Sequence, residues 1–360
     1  MPPATVYVVY LPYLPLTDRI VVGDWELIPQ QDLQDADTLD PRTAQLARGF
    51  AVLHDLRGTT HPFGAFARPN DGRVGDDPGS TVPLINLRRA LLVAVLNGNQ
   101  SPLTPEDEHD PNAGHAAMTS ENALIVANGI SYEGGYTATR SGGQIPRLNI
   151  GVSVLADSDL PPSPKIQAPA DLLLPTMGRP IDHEYAHATW ESITRGTDAA
   201  RRLGRAIEWL RLAWINVTEL TGDLRIPALR AGFEVLFDSD DEAVLAERLK
   251  TLVGDTTKPR LRQRAHPVTA KLWSKQLTDV EWWFWDFSFL RNDLMHGREP
   301  TEERWLHEGQ SHVGLGEAYL RWAIKATVAQ DGHQSILDDM AFRVAAREVR
   351  ARLRAASHPG

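Results

Sequence analysis

Val280-Glu-Trp-Trp-Phe-Trp-Asp-Phe-Ser-Phe-Leu290, continued by Arg291-Asn-Asp-Leu-Met-His-Gly297, is the stretch that decides the fold. A run apolar on nearly every side cannot be the surface helix of a monomer, so it lies at the centre of a helical domain or at an interface. It reads as a helix from Thr278 to Met295, stopped by Gly297 in the manner of a left-handed cap. Within it Arg291 and His296 stand in an R-x4-H spacing, with the polar Asn292 between them. Five residues of regular helix turn two side chains about 140° apart, so Arg291 and His296 share a face only if the helix ends between them. His296 sits at the negative end of the helix dipole, a position that suits a general acid.

Outward from this stretch the helical pattern continues in both directions. Helices are expected over Ala199 to Thr221, Leu224 to Phe237, Asp241 to Leu252, Gly314 to Ala329 and Ser335 to Ala355. Leu229, Phe233, Leu236 and Phe237 form one apolar face, and Leu245, Leu249 and Leu252 another, so these two helices should pack together. Upstream, the Pro-rich passage Leu160 to Pro180 marks a boundary, since proline removes donors and breaks helices. Before it, short apolar runs such as Val6 to Tyr10, Arg19 to Ile28 and Leu148 to Leu155 alternate with turn-rich stretches. One helix is expected there, at Pro83 to Asn97, where Leu84, Leu87, Leu91 and Val95 recur at helical spacing. Asn97 to Asn112 reads as an acidic loop, and Tyr132-Glu-Gly-Gly-Tyr136 as a hairpin turn. The expected class is therefore α+β, with a β-rich domain over residues 1–178 and an all-α bundle over 179–356.

At 360 residues two domains can each bury a core. With no cysteine, disulfides, thiolate zinc sites and cysteine nucleophiles are excluded, and a cytosolic protein fits better than an extracellular stapled one. Met1 to Leu16 lacks a basic leading segment and is interrupted by Pro12 and Pro15, so no signal peptide is expected, and no apolar run is long enough to span a membrane. A net charge of −10 argues against nucleic-acid binding until its distribution is read. Residues 1–190 carry 12 Lys and Arg against 22 Asp and Glu, whereas the rest of the chain carries 25 against 25. Within that second half, Lys258-Pro-Arg-Leu-Arg-Gln-Arg-Ala-His266, continuing to Lys271 and Lys275, contains no acid. Lys258, Arg260, Arg262 and Arg264 are therefore the candidates to face phosphate.

The segment Arg291, Asn292 and His296 resembles the HEPN superfamily, whose signature is R-x(4-6)-H with a small polar residue after the arginine. More narrowly it resembles the Apea-like HEPN group. An earlier helix reads Ala228-Leu-Arg-Ala-Gly-Phe-Glu-Val-Leu-Phe237, followed by Leu245-Ala-Glu-Arg-Leu249, in the order and spacing of that group. The resemblance covers roughly residues 195–335. It implies a HEPN-like helical bundle and a metal-independent endoribonuclease of the toxin or anti-phage defence type, with no cofactor. An RNA 2′-hydroxyl is already tethered beside its phosphate, so the enzyme need only position it, move protons and neutralise charge. Arg291 would stabilise the crowded phosphate and His296 would shuttle the proton. The resemblance also implies a composite site across a two-fold axis, hence a homodimer through aromatic surface such as Trp282 and Trp285. The N-terminal domain would then sense a regulatory ligand or protein.

Two rival readings stand beside this one. The helical domain can be a non-catalytic RNA-binding or protein-interaction module, in which Arg291 is held by Glu234 as a buried ion pair and His-Gly is only a cap. Alternatively, His183-Glu-Tyr-Ala-His187 matches H-E-x-x-H, which puts His183 and His187 on one helical face as zinc ligands with Glu184 as base. A third ligand is the test for zinc. The metzincin continuation fails at Trp190 and Ile193, Glu208 is a distant candidate, and Asp182 reads as a helix cap. No phosphate-binding loop, dinucleotide fingerprint or nucleophile elbow occurs.

Overall fold

The structure is a computed structural model, and it describes chiefly residues 7–11, 18–29, 54–55, 65–69, 81–98, 124–128, 136–140, 165–166, 181–214, 222–261, 275–307 and 310–337. The described chain is mixed in class and mostly helical. Its described residues fall into two compact units, those up to Glu191 in the first and those from Ser192 on in the second.

The first unit holds a six-stranded sheet built from β1 (Tyr7–Leu11), β2 (Ile20–Val22), β3 (Trp25–Pro29), β5 (Ala65–Pro69), β6 (Leu124–Asn128) and β7 (Tyr136–Arg140). The order is β2-β3-β5-β1-β6-β7, and every ladder is antiparallel. Two further short strands, β4 (His54–Asp55) and β8 (Lys165–Ile166), pair in parallel. The apolar run Arg19 to Ile28 contains a hairpin, in which Val22 faces Trp25 across a turn at Gly23 and Asp24. Gly23 takes φ +58°, which a side chain resists, and a Cβ there would also overlap the Trp190 indole. Glu26 lies opposite Arg68 on the neighbouring strand and pairs with it at 2.6 Å. Helix α1 (Thr81–Gly98) covers the expected span, with Leu87 and Leu91 buried. The expected strand Leu148 to Leu155 and the acidic loop's residues 99–112 lie outside the described residues.

Helix α2 (His183–Thr194) begins where Asp182 caps it, its Oδ1 accepting from the Tyr185 N–H at 3.0 Å. The sequence marked this start but not the helix's twelve-residue length. Its apolar side, Tyr185, Ala186 and Trp190, is buried.

In the second unit, α3 (Asp198–Trp214), α4 (Gly222–Phe237), α5 (Glu242–Val253), α6 (Asp279–Met295) and α7 (His312–Gln330) pack on one another. Helix α3 buries Leu203, Ile207 and Leu210, spaced four and three apart, against α4. Helix α4 in turn meets α6 and α7, and α5 lies on α6 and α7. The core is aromatic: Phe233 meets Phe284 edge-on at 5.5 Å, and Trp283 stacks on Phe287 at 5.1 Å and meets Tyr319 at 4.5 Å. Gly232 lets α4 and α7 approach closely, since a Cβ there would stand 2.6 Å from Leu320 Cδ2. Beyond α7 only a single 3-10 turn, Gln334–Leu337, is described, so the remainder of the helix expected over Ser335 to Ala355 lies outside the described residues.

Candidate functional site

Helix α6 carries the site residues and is held at both ends. Its first amide groups, which have no partner within the helix, are each satisfied. Asp279 N–H donates to Thr257 Oγ1 at 3.0 Å, Val280 N–H to Asp255 Oδ2 at 3.0 Å, and Glu281 N–H to Thr278 Oγ1 at 3.5 Å. Glu281 returns the bond, accepting from the Thr278 N–H at 2.8 Å, so the pair forms a capping box. Burial works to raise the Asp255 carboxyl, but four hydrogen bonds, from Thr257, Val280 and Thr278, outweigh it and hold its pKa below the usual carboxylate value.

At the other end His296 is the cap residue and Gly297 follows at φ +67°. Gly297 N–H donates to the Leu294 carbonyl at 3.0 Å and Arg298 N–H to that of Asp293 at 2.9 Å, the two bonds of a Schellman motif. The left-handed stop expected at Gly297 is therefore present. It falls too late to bring Arg291 and His296 together, because the helix runs unbroken to Met295 and the His296 amide still bonds the Asn292 carbonyl at 3.1 Å. The two residues leave the helix about 140° and about 7.5 Å of rise apart.

On its own face, Arg291 follows Ser288 and Phe284 at the i−3 and i−7 positions of α6. Both of those residues contact Arg230 of α4, which is only 2% exposed. Arg230 Nε donates to Ser288 Oγ at 3.3 Å, and its guanidinium lies over the Phe284 ring at 5.2 Å. Arg230 Nη1 pairs with Glu234 at 3.0 Å, while Nη2 reaches Glu242 at 4.0 Å and the Asp240 carbonyl at 3.4 Å. Burial pushes the Arg230 pKa below its ordinary value; Glu234 and Glu242 oppose this, and the neighbouring Arg291 charge adds to it. Glu234, the expected partner of Arg291, is thus engaged by Arg230 instead. Among the described residues, the hydrogen bond made by the Arg291 side chain is to Asn292 Oδ1 at 3.0 Å. The Arg291 guanidinium is half-buried and lies three residues beyond Ser288, the residue to which Arg230 is bonded.

His296 is exposed, on the same helical face as Trp285, Phe289 and Asn292. Trp285 and Phe289 are half-buried, their rings 5.7 Å apart, and the Lys275 ammonium lies 5.6 Å from the Trp285 ring. Trp282, expected on a dimer surface, is core instead: it is 3% exposed and its Nε1 donates to the Arg260 carbonyl at 2.9 Å. Of the basic stretch, Lys258 is exposed, whereas Arg260 is half-buried and pairs with Asp279 at 3.1 Å, tying the segment to the start of α6. Arg262 and Arg264 lie outside the described residues.

The H-E-x-x-H string is on α2, with His183 and Glu184 exposed. His187 Nδ1 accepts from the Gly23 N–H at 3.2 Å, which leaves the proton of the neutral ring on Nε2, 3.5 Å from Glu191. The two ring nitrogens of His187 thus face the Gly23 amide and Glu191. No cluster of three His, Asp or Glu side chains suited to a metal occurs among the described residues.

Two features escaped the sequence reading. One is Arg230. The other is a buried pair on the opposite side of α6, where Asp286 Oδ2 meets His307 Nδ1 at 2.9 Å and the two side chains are 5% and 4% exposed. Next to it Asp293 takes Arg304 at 2.6 Å and Arg298 at 3.2 Å, so residues 298–307 are fastened along this side. His307 lies on β9 (Leu306–His307), which pairs with β10 (Gln310–Ser311) just before α7. Only the charge of Arg230 within an apolar helix hinted at a buried role. Comparison with family models, with curated proteins and with solved structures finds no match to this chain.

Proposed function

We propose that the helical unit is a HEPN-like, metal-independent endoribonuclease whose site is completed by a second copy of the chain. In this reading Arg291 holds a non-bridging phosphate oxygen and His296 moves the proton at the 2′-oxygen or the 5′-leaving oxygen. The products are a 2′,3′-cyclic phosphate and a 5′-hydroxyl. The observation that carries it is the state of Arg291: half-buried, three residues beyond the Ser288 that Arg230 bonds, and bonded to a neutral amide among the described residues. Glu234, the acid that could hold Arg291 in a structural ion pair, is paired with Arg230. The divergence of Arg291 and His296 on one helix favours a site shared between two protomers, Arg291 from one and His296 from the other. No helix among the described residues is long and apolar enough to cross a membrane, and the proposed setting is a cytoplasmic effector of the toxin or antiviral type, with the sheet-containing unit as its regulator.

The test is RNA cleavage in excess EDTA. Arg291→Ala and His296→Ala should each reduce it by about 10²-fold or more, with melting temperature nearly unchanged. Wild-type protein that binds RNA and cuts none under any condition tried leaves the binding-module reading in its place. Equal cutting by wild type and both variants removes these residues from the site.

A further inference from the structure

We propose that the buried Arg230 is the positioning residue of this phosphate site: it engages Glu234 and Glu242, the carboxylates that would otherwise pair with Arg291, and so leaves the Arg291 guanidinium open to an anion. This rests on the reading of Arg291 as a phosphate ligand.

The arrangement around Arg230 carries the inference. Its guanidinium is bracketed by Glu234 at 3.0 Å and Glu242 at 4.0 Å, and its Nε is fixed to Ser288 Oγ, one turn before Arg291 on the same face of α6. Arg291 is near enough for its charge to act on Arg230. The segment from Asp238 to Glu242 adds Asp238, Asp240 and Asp241 to this neighbourhood of the chain, a charge that by itself would repel phosphate. At 2% exposure Arg230 cannot reach a ligand from solvent, so its contribution acts through others. Without Arg230 the Glu234 and Glu242 carboxylates lose their cation, and the proposal takes Arg291 as its replacement. The sequence Arg230-Ala-Gly-Phe-Glu234 sets up the main pair at i,i+4, the spacing at which two side chains meet on a helix.

The experiment measures binding of a short 2′-O-methyl oligoribonucleotide, which cannot be cut through its own 2′-oxygen, as a function of salt, with thermal melting as the check on folding. Arg291→Ala should weaken binding and reduce the salt slope by about one phosphate contact. Arg230→Met should produce the same two changes, with Glu234 and Glu242 drawing in Arg291. The triple variant Arg230→Met, Glu234→Gln, Glu242→Gln should restore both affinity and slope, since no carboxylate is left to take Arg291. Wild-type binding by Arg230→Met overturns the proposal, and so does a triple variant that folds but stays weak. If Arg230→Met does not fold, Glu234→Gln with Glu242→Gln decides: affinity at or above wild type supports the proposal, and a fall in affinity overturns it. An unaltered slope in Arg291→Ala removes the phosphate site itself, a failure distinct from any of these.

Discussion

Mixing two inactive variants should restore cleavage. Arg291 and His296 leave α6 about 140° apart in azimuth and about 7.5 Å apart in rise, so the proposed site takes one group from each of two protomers. A two-fold pair of protomers has two equivalent sites, each with Arg291 from one chain and His296 from the other. In a heterodimer of Arg291→Ala with His296→Ala, one site has lost both groups and the other retains both. Random exchange at equal concentration makes about half of the dimers heterodimers, each with one of two sites intact, so the mixture should regain about a quarter of wild-type activity. Each variant alone should retain about 1% or less, which makes the recovery some twenty-fold or more. The assay is cleavage of a fluorophore-quencher oligoribonucleotide in EDTA after subunit exchange, with native mass spectrometry counting heterodimers. A mixture that contains heterodimers and cuts no faster than the two variants separately refutes the shared site. Wild-type protein that is monomeric and active at the assay concentration refutes it as directly.

Two further outcomes concern how α6 is held. Gly297→Ala forces a Cβ into a left-handed conformation at the Schellman stop, so it should cost on the order of 1 kcal/mol in denaturant unfolding. No loss of stability would show that the cap can rearrange. Acid should loosen the unit in a defined window, because Asp255 and Asp293 both sit below their ordinary values. For Asp293 burial acts to raise it, and the hydrogen bonds and charges of Arg304 and Arg298 outweigh burial. A carboxyl depressed on folding adds stability that is fully present above its unfolded value of about 3.9 and is lost as pH falls through the lower folded value. Asp255→Asn should therefore lower the melting temperature at neutral pH and flatten its decline below about pH 4. An unchanged acid limb would place the pH dependence elsewhere.

How far the sequence could be read follows from the range of the forces involved. The ends of α6 were legible because they are local: Thr278 bonds the amide of Glu281 three residues on, and Gly297 closes on Leu294 three residues back. Helices α4 and α5 emerged within a residue or two of their expected spans for the same reason. The apolar run 280–290 required burial but could not name the covering partner. Periodicity records which faces are dry, and a core and a dimer interface dry a face equally. Trp282 shows the difference, since the Arg260 carbonyl, 22 residues away, holds its indole inside the protomer. Asp286 with His307, and Arg230 with Ser288, are pairs 21 and 58 residues apart, set by the crossing of elements rather than by any string.

The R-x4-H spacing shows the limit most plainly. It fixes an angle, and the structure shows that the helix does not end soon enough to relax it. A glycine at 297 terminates the helix after His296, whereas bringing the two side chains onto one face needs a break before it. This is why the proposed site draws on a second helix end. On the proposed reading a partner meets the C-terminal end of α6, where Arg291 and His296 both emerge, since further back along the helix Arg230 meets Phe284 and Ser288, and Asp286 and Asp293 are tied to His307 and Arg304.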